Sequence, residues 1–253
     1  MTTHFLGDTA VLTGRSLRHI ARSPDTIITT AVTPIAMMLL FVYVFGGAID
    51  TGTESYVNYL LPGILLITIA SGIAYTAYRL FLDMQGGIFE RFQSMPIARS
   101  SVLWAHVLTS VVANLVSLAV VIGVSFIMGF RTGADVLDWL AVAGILVLFT
   151  LALTWVAVIA GLSAKTVDGA SAFSYPLIFL PFISSAFVPT DTMPGPVRWF
   201  AENQPVTSIV NTIRDLFAGQ PAGSGIWIAL AWMTGILLVA YVFATLSYRR
   251  KTA

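Results

Sequence analysis

Cysteine is absent from this 253-residue chain, so neither a disulfide nor a thiolate-bound metal can hold it together. Histidine is nearly absent: His4, His19 and His106 are too few and too scattered to build a metal site. Charge is scarce as well. Lys, Arg, Asp and Glu supply 10% of the residues, where a soluble domain has roughly a quarter. Apolar residues fill the gap, at 57% of the chain with a mean hydropathy of +0.86. That balance reads as an integral membrane protein. The net charge of +1 says nothing as a sum, because the distribution of charge matters more. The first 25 residues carry Arg15, Arg18 and Arg22 but neither a continuous apolar run nor a small-residue cleavage site. A cleavable signal peptide is therefore not expected, and the mature chain is expected to start near Met1.

Six stretches are long and apolar enough to cross a hydrocarbon core as helices: 26–45, 57–78, 102–128, 139–162, 170–188 and 226–247. None of the 25 Lys, Arg, Asp and Glu side chains falls inside them. The alternating segments of about ten residues that barrel strands need are missing. The expected fold is an all-α membrane protein forming a single transmembrane domain over 1–253. Orientation follows from the basic residues, which cytoplasmic segments retain. One set of connecting segments holds ten of them: Arg15, Arg18, Arg22, Arg79, Arg91, Arg99, Lys165, Arg249, Arg250 and Lys251. The opposite set holds only Arg131, Arg198 and Arg214. An even number of spans puts both termini on the cytoplasmic side.

Three segments outside the spans carry information. Residues 5–22 form an amphipathic helix, with Leu6, Ala10, Leu17, Ile20 and Ala21 on one side and Arg15, Arg18 and Arg22 on the other. A basic helix of this kind lies along the inner leaflet. The second segment, 84–96, places Ile88, Phe92 and Met95 on one edge, with Glu90, Arg91 and Gln93 elsewhere, and Pro96 ends it. Two readings stay open for such a short cytoplasmic helix: a membrane-surface connector, or a knob that docks in a partner's cleft. The third, 194–218, reads as two short helices outside the membrane, the second following Asn203-Gln204-Pro205. Its stripe of Val206, Ile209, Val210, Ile213 and Phe217 is too short to span and too oily for water, as in re-entrant segments.

Missing chemistry narrows the function. A proton- or ion-coupled carrier needs ionisable groups within its spans, and only His106, near the inner end of the third, comes close. An intramembrane serine protease needs a nucleophile with a histidine partner, and no GxSxG occurs. The nearest approach to a phosphate loop, GLSAKT at 161–166, lacks the glycine before Lys165 and follows a transmembrane helix. No catalytic residue, resident cofactor, metal or nucleic-acid partner is expected. Any uphill work must be powered by another polypeptide, met at the cytoplasmic face.

Glu90-Arg91-Phe92-Gln93-Ser94-Met95-Pro96-Ile97-Ala98-Arg99 resembles the signature of ABC-2 type permeases, and 184–216 is similar to the outer loop of their daunorubicin/doxorubicin-resistance branch. The resemblance covers nearly the whole chain. Gln93-Ser94 departs from it, since many relatives show a glycine and a hydrophobic residue there. The resemblance implies an exporter in the plasma membrane built from two permease copies over two separate ATP-binding subunits, which carry ATP and Mg. It implies that Phe89, Glu90, Arg91, Phe92, Met95 and Pro96 form the helix that couples to the ATPase, that Arg15 and Arg18 sit on a second contact, and that the outer helices form a gate. A route without ionisable groups suits small amphipathic drug-like or lipid-like cargo. Thr33, Met37, Tyr75, Phe173, Tyr175, Phe179 and Phe182 are candidates to line it, although each suits bundle packing equally well. Pro34, Pro176 and Pro181 permit bends in the first and fifth spans. The alternatives are a self-contained secondary transporter or channel, an intramembrane enzyme, and a polysaccharide-exporting ABC permease.

Overall fold

The computed structural model describes residues 5–21, 24–47, 49, 55–86 and 99–252. Among the described residues all regular structure is helical. The chain begins with α1 (Phe5–Ala21) and α2 (Pro24–Leu39), the latter widening into a π-helical turn at Leu40–Phe45. Three long helices follow: α3 (Tyr56–Gln85), α4 (Arg99–Ile127) and α5 (Val136–Ser163). The next region is fragmented into α6 (Val167–Ala172), α7 (Ser174–Phe179) and a 3₁₀ turn at Leu180–Ile183. Two short helices, α8 (Gly195–Asn203) and α9 (Pro205–Phe217), precede the long α10 (Gly225–Thr252).

Among the described residues four helices are long and apolar enough to cross a membrane: Tyr56–Gln85, Ser101–Ile127, Val136–Ser163 and Gly225–Tyr248. Two shorter apolar stretches, Ala31–Phe45 and Val167–Ile183, accompany them. The second of these corrects the expectation of one continuous helix over 170–188. Proline explains the break. Pro176 and Pro181 each lack an amide hydrogen and crowd the preceding turn, while the Ser174 and Ser184 hydroxyls donate to the Ser171 and Pro181 carbonyls three residues back. The chain then runs extended at Ser184 toward α8.

α3 is the hub, with α2, α4, α5, α6, α7 and α9 all packed on it. Leu60, Leu61 and every residue from Ile64 to Ile67 are buried. Water exclusion does not drive helices together in lipid, so close van der Waals approach has to. Small residues permit it. A Cβ on Gly161 of α5 would stand 2.8 Å from the Ala77 carbonyl oxygen of α3, and one on Gly63 would meet the Ala186 side chain 2.6 Å away. Two apolar clusters result. The smaller joins Leu80, Val102, Leu103, Val107, Trp155, Val158 and Tyr248 near one end of the bundle. Within it Trp155 packs edge-on against Trp104 and Tyr241. The larger runs to the other end, where Phe130, Phe217 and Trp139 meet.

α10 packs on α5 and α9 and leaves Trp227, Leu238, Val239 and Phe243 exposed on its far side. α1 packs on α4 with Thr9 buried and Leu12 against the smaller cluster, while Ala10 and Val11 face away. Of the apolar side anticipated for α1, Ala10 is exposed, and the side chains of Leu6, Leu17, Ile20 and Ala21 lie outside the described residues.

Gly161→Ala should destabilise the protein by about 1–3 kcal/mol, because a backbone oxygen on the central helix cannot move aside. Gly235→Ala in α10, where an added Cβ meets nothing within 4 Å, should be neutral or slightly stabilising. Thermal unfolding of both variants in detergent checks the contrast.

Candidate functional site

The charged and polar groups gather at the two ends of the bundle. At one end, Asp83 on the last turn of α3 meets His106 on α4, with Nε2 lying 3.2 Å from Oδ2. Both side chains are largely sheltered, at 15% exposure for His106 and 29% for Asp83. Arg79, one turn back on α3, and Arg15 on α1 act on the same carboxylate. Leu12, Arg15, Ser16, Asp83, Val102, Ala105 and His106 enclose a cavity of about 20 Å³, room for about one water. Three helices therefore meet at this junction.

At the opposite end, Arg214 of α9 reaches back to the start of α3. Its Nε and Nη2 donate to the Tyr59 carbonyl at 3.2 and 3.1 Å, and Nη2 also donates to the Ser185 carbonyl at 2.7 Å. Nη1 donates to Asn211 Oδ1 at 2.8 Å, and the guanidinium carbon stands 3.8 Å from the Tyr59 ring centroid. Burial pulls its pKa below the ordinary arginine value, opposed by Tyr59 and Asp215. Surrounding bonds complete the fastening: Ser185 Oγ donates to Asn211, the Ser185 amide to Thr207, and Gln204 Nε2 to the Ile183 carbonyl. α9 is thereby stitched to the frayed end of the fifth apolar stretch.

The α4–α5 connection joins the same knot. Asn58 of α3 exchanges two hydrogen bonds with the Arg131 backbone, and Thr132 Oγ1 and the Gly133 amide both donate to the Phe217 carbonyl. Gly219 closes α9 at φ +68, a left-handed backbone suited to glycine, with Gly133 too close for a side chain. Asp135 and Asp138 form a reciprocal cap at the start of α5. On α8, Arg198 and Glu202 pair across one turn at 2.7 Å, exposed to solvent, so each shifts the other toward its charged form at the surface.

Of the residues anticipated from sequence, Phe89, Glu90, Arg91, Phe92, Met95 and Pro96 lie in 87–98, outside the described residues. Residues 84 and 85 of the expected coupling helix continue α3. Arg15 lies exposed on α1; Arg18 is on the same helix, with its side chain outside the described residues. The structure places the seven pathway candidates in different surroundings. Thr33, Tyr175 and Phe179 are exposed, whereas Met37 and Phe173 are half-buried against the large cluster. Tyr75 stacks on Tyr78 under Arg79. Phe182 belongs to an aromatic ladder: it stacks on Phe187 at 4.9 Å, which stacks on Phe41 of the π turn at 4.8 Å, while Phe179 flanks it at 6.2 Å.

Sequence reasoning missed a buried polar node between α3, α4 and α5. Thr76 donates to Ser110 at 2.7 Å, Ser110 approaches Thr154 at 3.4 Å, and Asn114 Nδ2 donates to the Ser110 carbonyl. Gly72 leaves space for the Asn114 amide, whose Oδ1 is buried without a partner. The available signal was Ser110 and Asn114, then Thr150 and Thr154, each pair four residues apart in apolar helices. Hydroxyls and amides of this kind join helices in lipid. Asp83 carries no local signal, because its partner His106 lies 23 positions away in the chain. Among the described residues no group of three or more His, Asp or Glu stands close enough to hold a metal.

Comparison with known proteins adds the functional context. The family model described as "ABC-2 type transporter" matches residues 8–218. The "Daunorubicin resistance ABC transporter permease protein DrrB1" of Streptomyces coeruleorubidus is 27% identical over 243 residues, covering 94% of this chain and 85% of its own. The "Probable doxorubicin resistance ABC transporter permease protein DrrC" of Mycobacterium tuberculosis is 27% identical over 252 residues, covering 98% and 90%. A helical bundle with charges confined to its ends, no ATP-binding loop of its own, and this family match over most of its length have one meaning. The chain belongs to the ABC-2 type transporter family and is a membrane permease subunit of an ABC transporter, whose ATP hydrolysis resides on a separate subunit.

Proposed function

We propose that the permease moves small amphipathic, drug-like or lipid-like cargo outward across the plasma membrane, working as a pair of identical copies above two ATP-binding subunits. ATP and Mg bind on those subunits. Both termini and the 84–96 segment face the cytoplasm, where the basic residues concentrate. The apolar stretches at 26–45 and 170–188 complete six crossings. The shorter, broken one is covered at its outer end by α9, as re-entrant backbone must be.

The observation that carries the cargo reading is the aromatic ladder of Phe41, Phe187, Phe182 and Phe179. It joins the π turn of α2 to the broken fifth stretch, and Tyr175 and Phe179 extend from it onto an exposed face. Such a face offers flat, polarizable, uncharged contact to a planar amphipathic molecule and nothing to an ion. The printed names of the relatives, which concern resistance to daunorubicin and doxorubicin, are in keeping with that chemistry. The 84–96 helix, with Phe89, Phe92 and Met95 beside Glu90 and Arg91, has the composition of a docking knob. It receives the rigid-body push of the ATPase with α1, through Arg15 and Arg18, as a second contact. The α8–α9 pair forms the outer gate, with Arg214 as its fastening.

The defining test is ATP-driven accumulation of a fluorescent anthracycline inside inside-out vesicles containing the permease and its ATPase. Accumulation by the permease alone, without ATPase, would replace this reading with a self-powered carrier. Exchanging the docking charges, Glu90→Lys with Arg91→Glu, should leave membrane insertion intact and abolish cargo-stimulated ATP hydrolysis. Hydrolysis stimulated to the unaltered extent would sink the docking assignment.

At the outer end, Arg214→Ala should lower stability by about 2–3 kcal/mol, since it strips the donors from half-buried carbonyls and the cation from the Tyr59 face. Arg214→Lys should fall between, keeping the cation but losing the planar fork. Thermal unfolding in detergent orders the three proteins.

A further inference from the structure

The 87–98 segment has two roots, the end of α3 and the start of α4, and one ion pair ties them together. Asp83 lies on the last turn of α3, four residues before the segment, and His106 lies on α4, eight residues after it. The other ion pair among the described residues, Arg198–Glu202, stays within a single exposed helix turn. The Asp83–His106 pair is different in kind: it is sheltered, and it bridges separate helices.

Its surroundings suit a clasp. Val102, Leu103 and Val107 of α4 pack with Leu80 of α3 beside it, so one flank of the junction is apolar and closed. On the other flank Leu12, Arg15 and Ser16 of α1 complete the small cavity over the pair. Arg15 from α1 and Arg79 from α3 are the further charged groups acting on Asp83, and both are cations that favour its carboxylate. The imidazole Nε2–H donates to that carboxylate whether or not the ring carries its second proton. The tie therefore survives a change in histidine charge. Helices in lipid lack a hydrophobic drive to stay together, so packing and polar ties between them have to hold them in register.

We propose that Asp83 and His106 are positioning residues for energy coupling: their pair clasps the inner roots of α3 and α4, with α1 laid against it, so that a push on 84–96 turns both helices as one body. This rests on the reading of 84–96 as the element that meets the ATPase. The clasp stays closed throughout the cycle. Without it, the same push splays two roots and is absorbed locally.

The absence of native cysteine makes the test clean. The permease is reconstituted with its ATPase in proteoliposomes, and anthracycline moved per ATP hydrolysed is measured beside membrane insertion and ATPase co-purification. Asp83→Ala and His106→Ala should each insert and retain the ATPase, yet move about tenfold less cargo per ATP. Asp83→Glu, which keeps the carboxylate, should couple near the unaltered level. In a double variant, Asp83→Cys with His106→Cys, bridging the thiols with a short bifunctional methanethiosulfonate should restore coupling, and reduction should remove it again. Normal coupling in both alanine variants would overturn the clasp, as would loss of residual export on bridging. Absence of ATP-driven export by the unaltered chain would instead bring down the function reading on which the clasp depends.

Discussion

Hydrocarbon admits no unsatisfied charge, and that constraint arranges the rest of this molecule. With none of its 25 acidic and basic side chains inside the six apolar stretches, the chain can use strong electrostatics only at its two ends. The two most elaborate polar arrangements stand there: Asp83 with His106, Arg15 and Arg79 at one, Arg214 with Tyr59, Ser185 and Asn211 at the other. Between them the bundle relies on close approach at Gly63 and Gly161 and on the modest hydroxyl–amide node around Ser110. Packing and hydroxyl hydrogen bonds hold the middle; the charged fastenings stand at the ends.

The break in the fifth apolar stretch follows from the same constraint. Pro176 and Pro181 leave carbonyls without helical partners, which lipid would penalise by several kcal/mol each. Protein groups cover that end. Gln204 donates to the Leu180 and Ile183 carbonyls, and Arg214 donates to that of Ser185. The oily stripe on α9 thus covers irregular backbone, and its own Ile209, Val210 and Ile213 are wholly buried. On the proposed reading of α8 and α9 as the outer gate, this broken helix and its cover would be the element that moves.

How much of this was legible in the sequence depended on whether the signal was local. The apolar runs announced α3, α4, α5 and α10, because hydropathy over about twenty residues is a property of the run itself. Asn203-Gln204-Pro205 likewise marked the junction of α8 and α9, where Pro205 opens the second helix. Pro176 and Pro181 were read as bends, yet together with two serines they fragment the stretch. Contacts between distant positions were invisible: Arg214 meets Tyr59 across 155 positions and Thr132 meets Phe217 across 85. The amphipathic reading of α1 identified two faces but not which one the bundle takes. Thr9 is buried and Ala10 exposed because α4 packs against one side of the helix and not the other.

Tyr59 and Asp83 sit on the same helix. They are 24 residues apart, about 36 Å along the axis at 1.5 Å per residue. α3 is walled in by six other helices over that length, and it contains one proline, Pro62, near its outer end. From Gly63 to Gln85 it contains no further proline, so that length lacks the break a proline makes, and Pro62 stands between it and Tyr59. The neighbour most exposed to lipid, α10, makes no ion pair among the described residues at either end. On the proposed reading, a push entering beside Asp83 would travel along α3 toward Tyr59 and the Arg214 contacts at the other end of the bundle. No residue in the middle of the bundle would have to change its charge for that, which is in keeping with a permease so poor in ionisable groups.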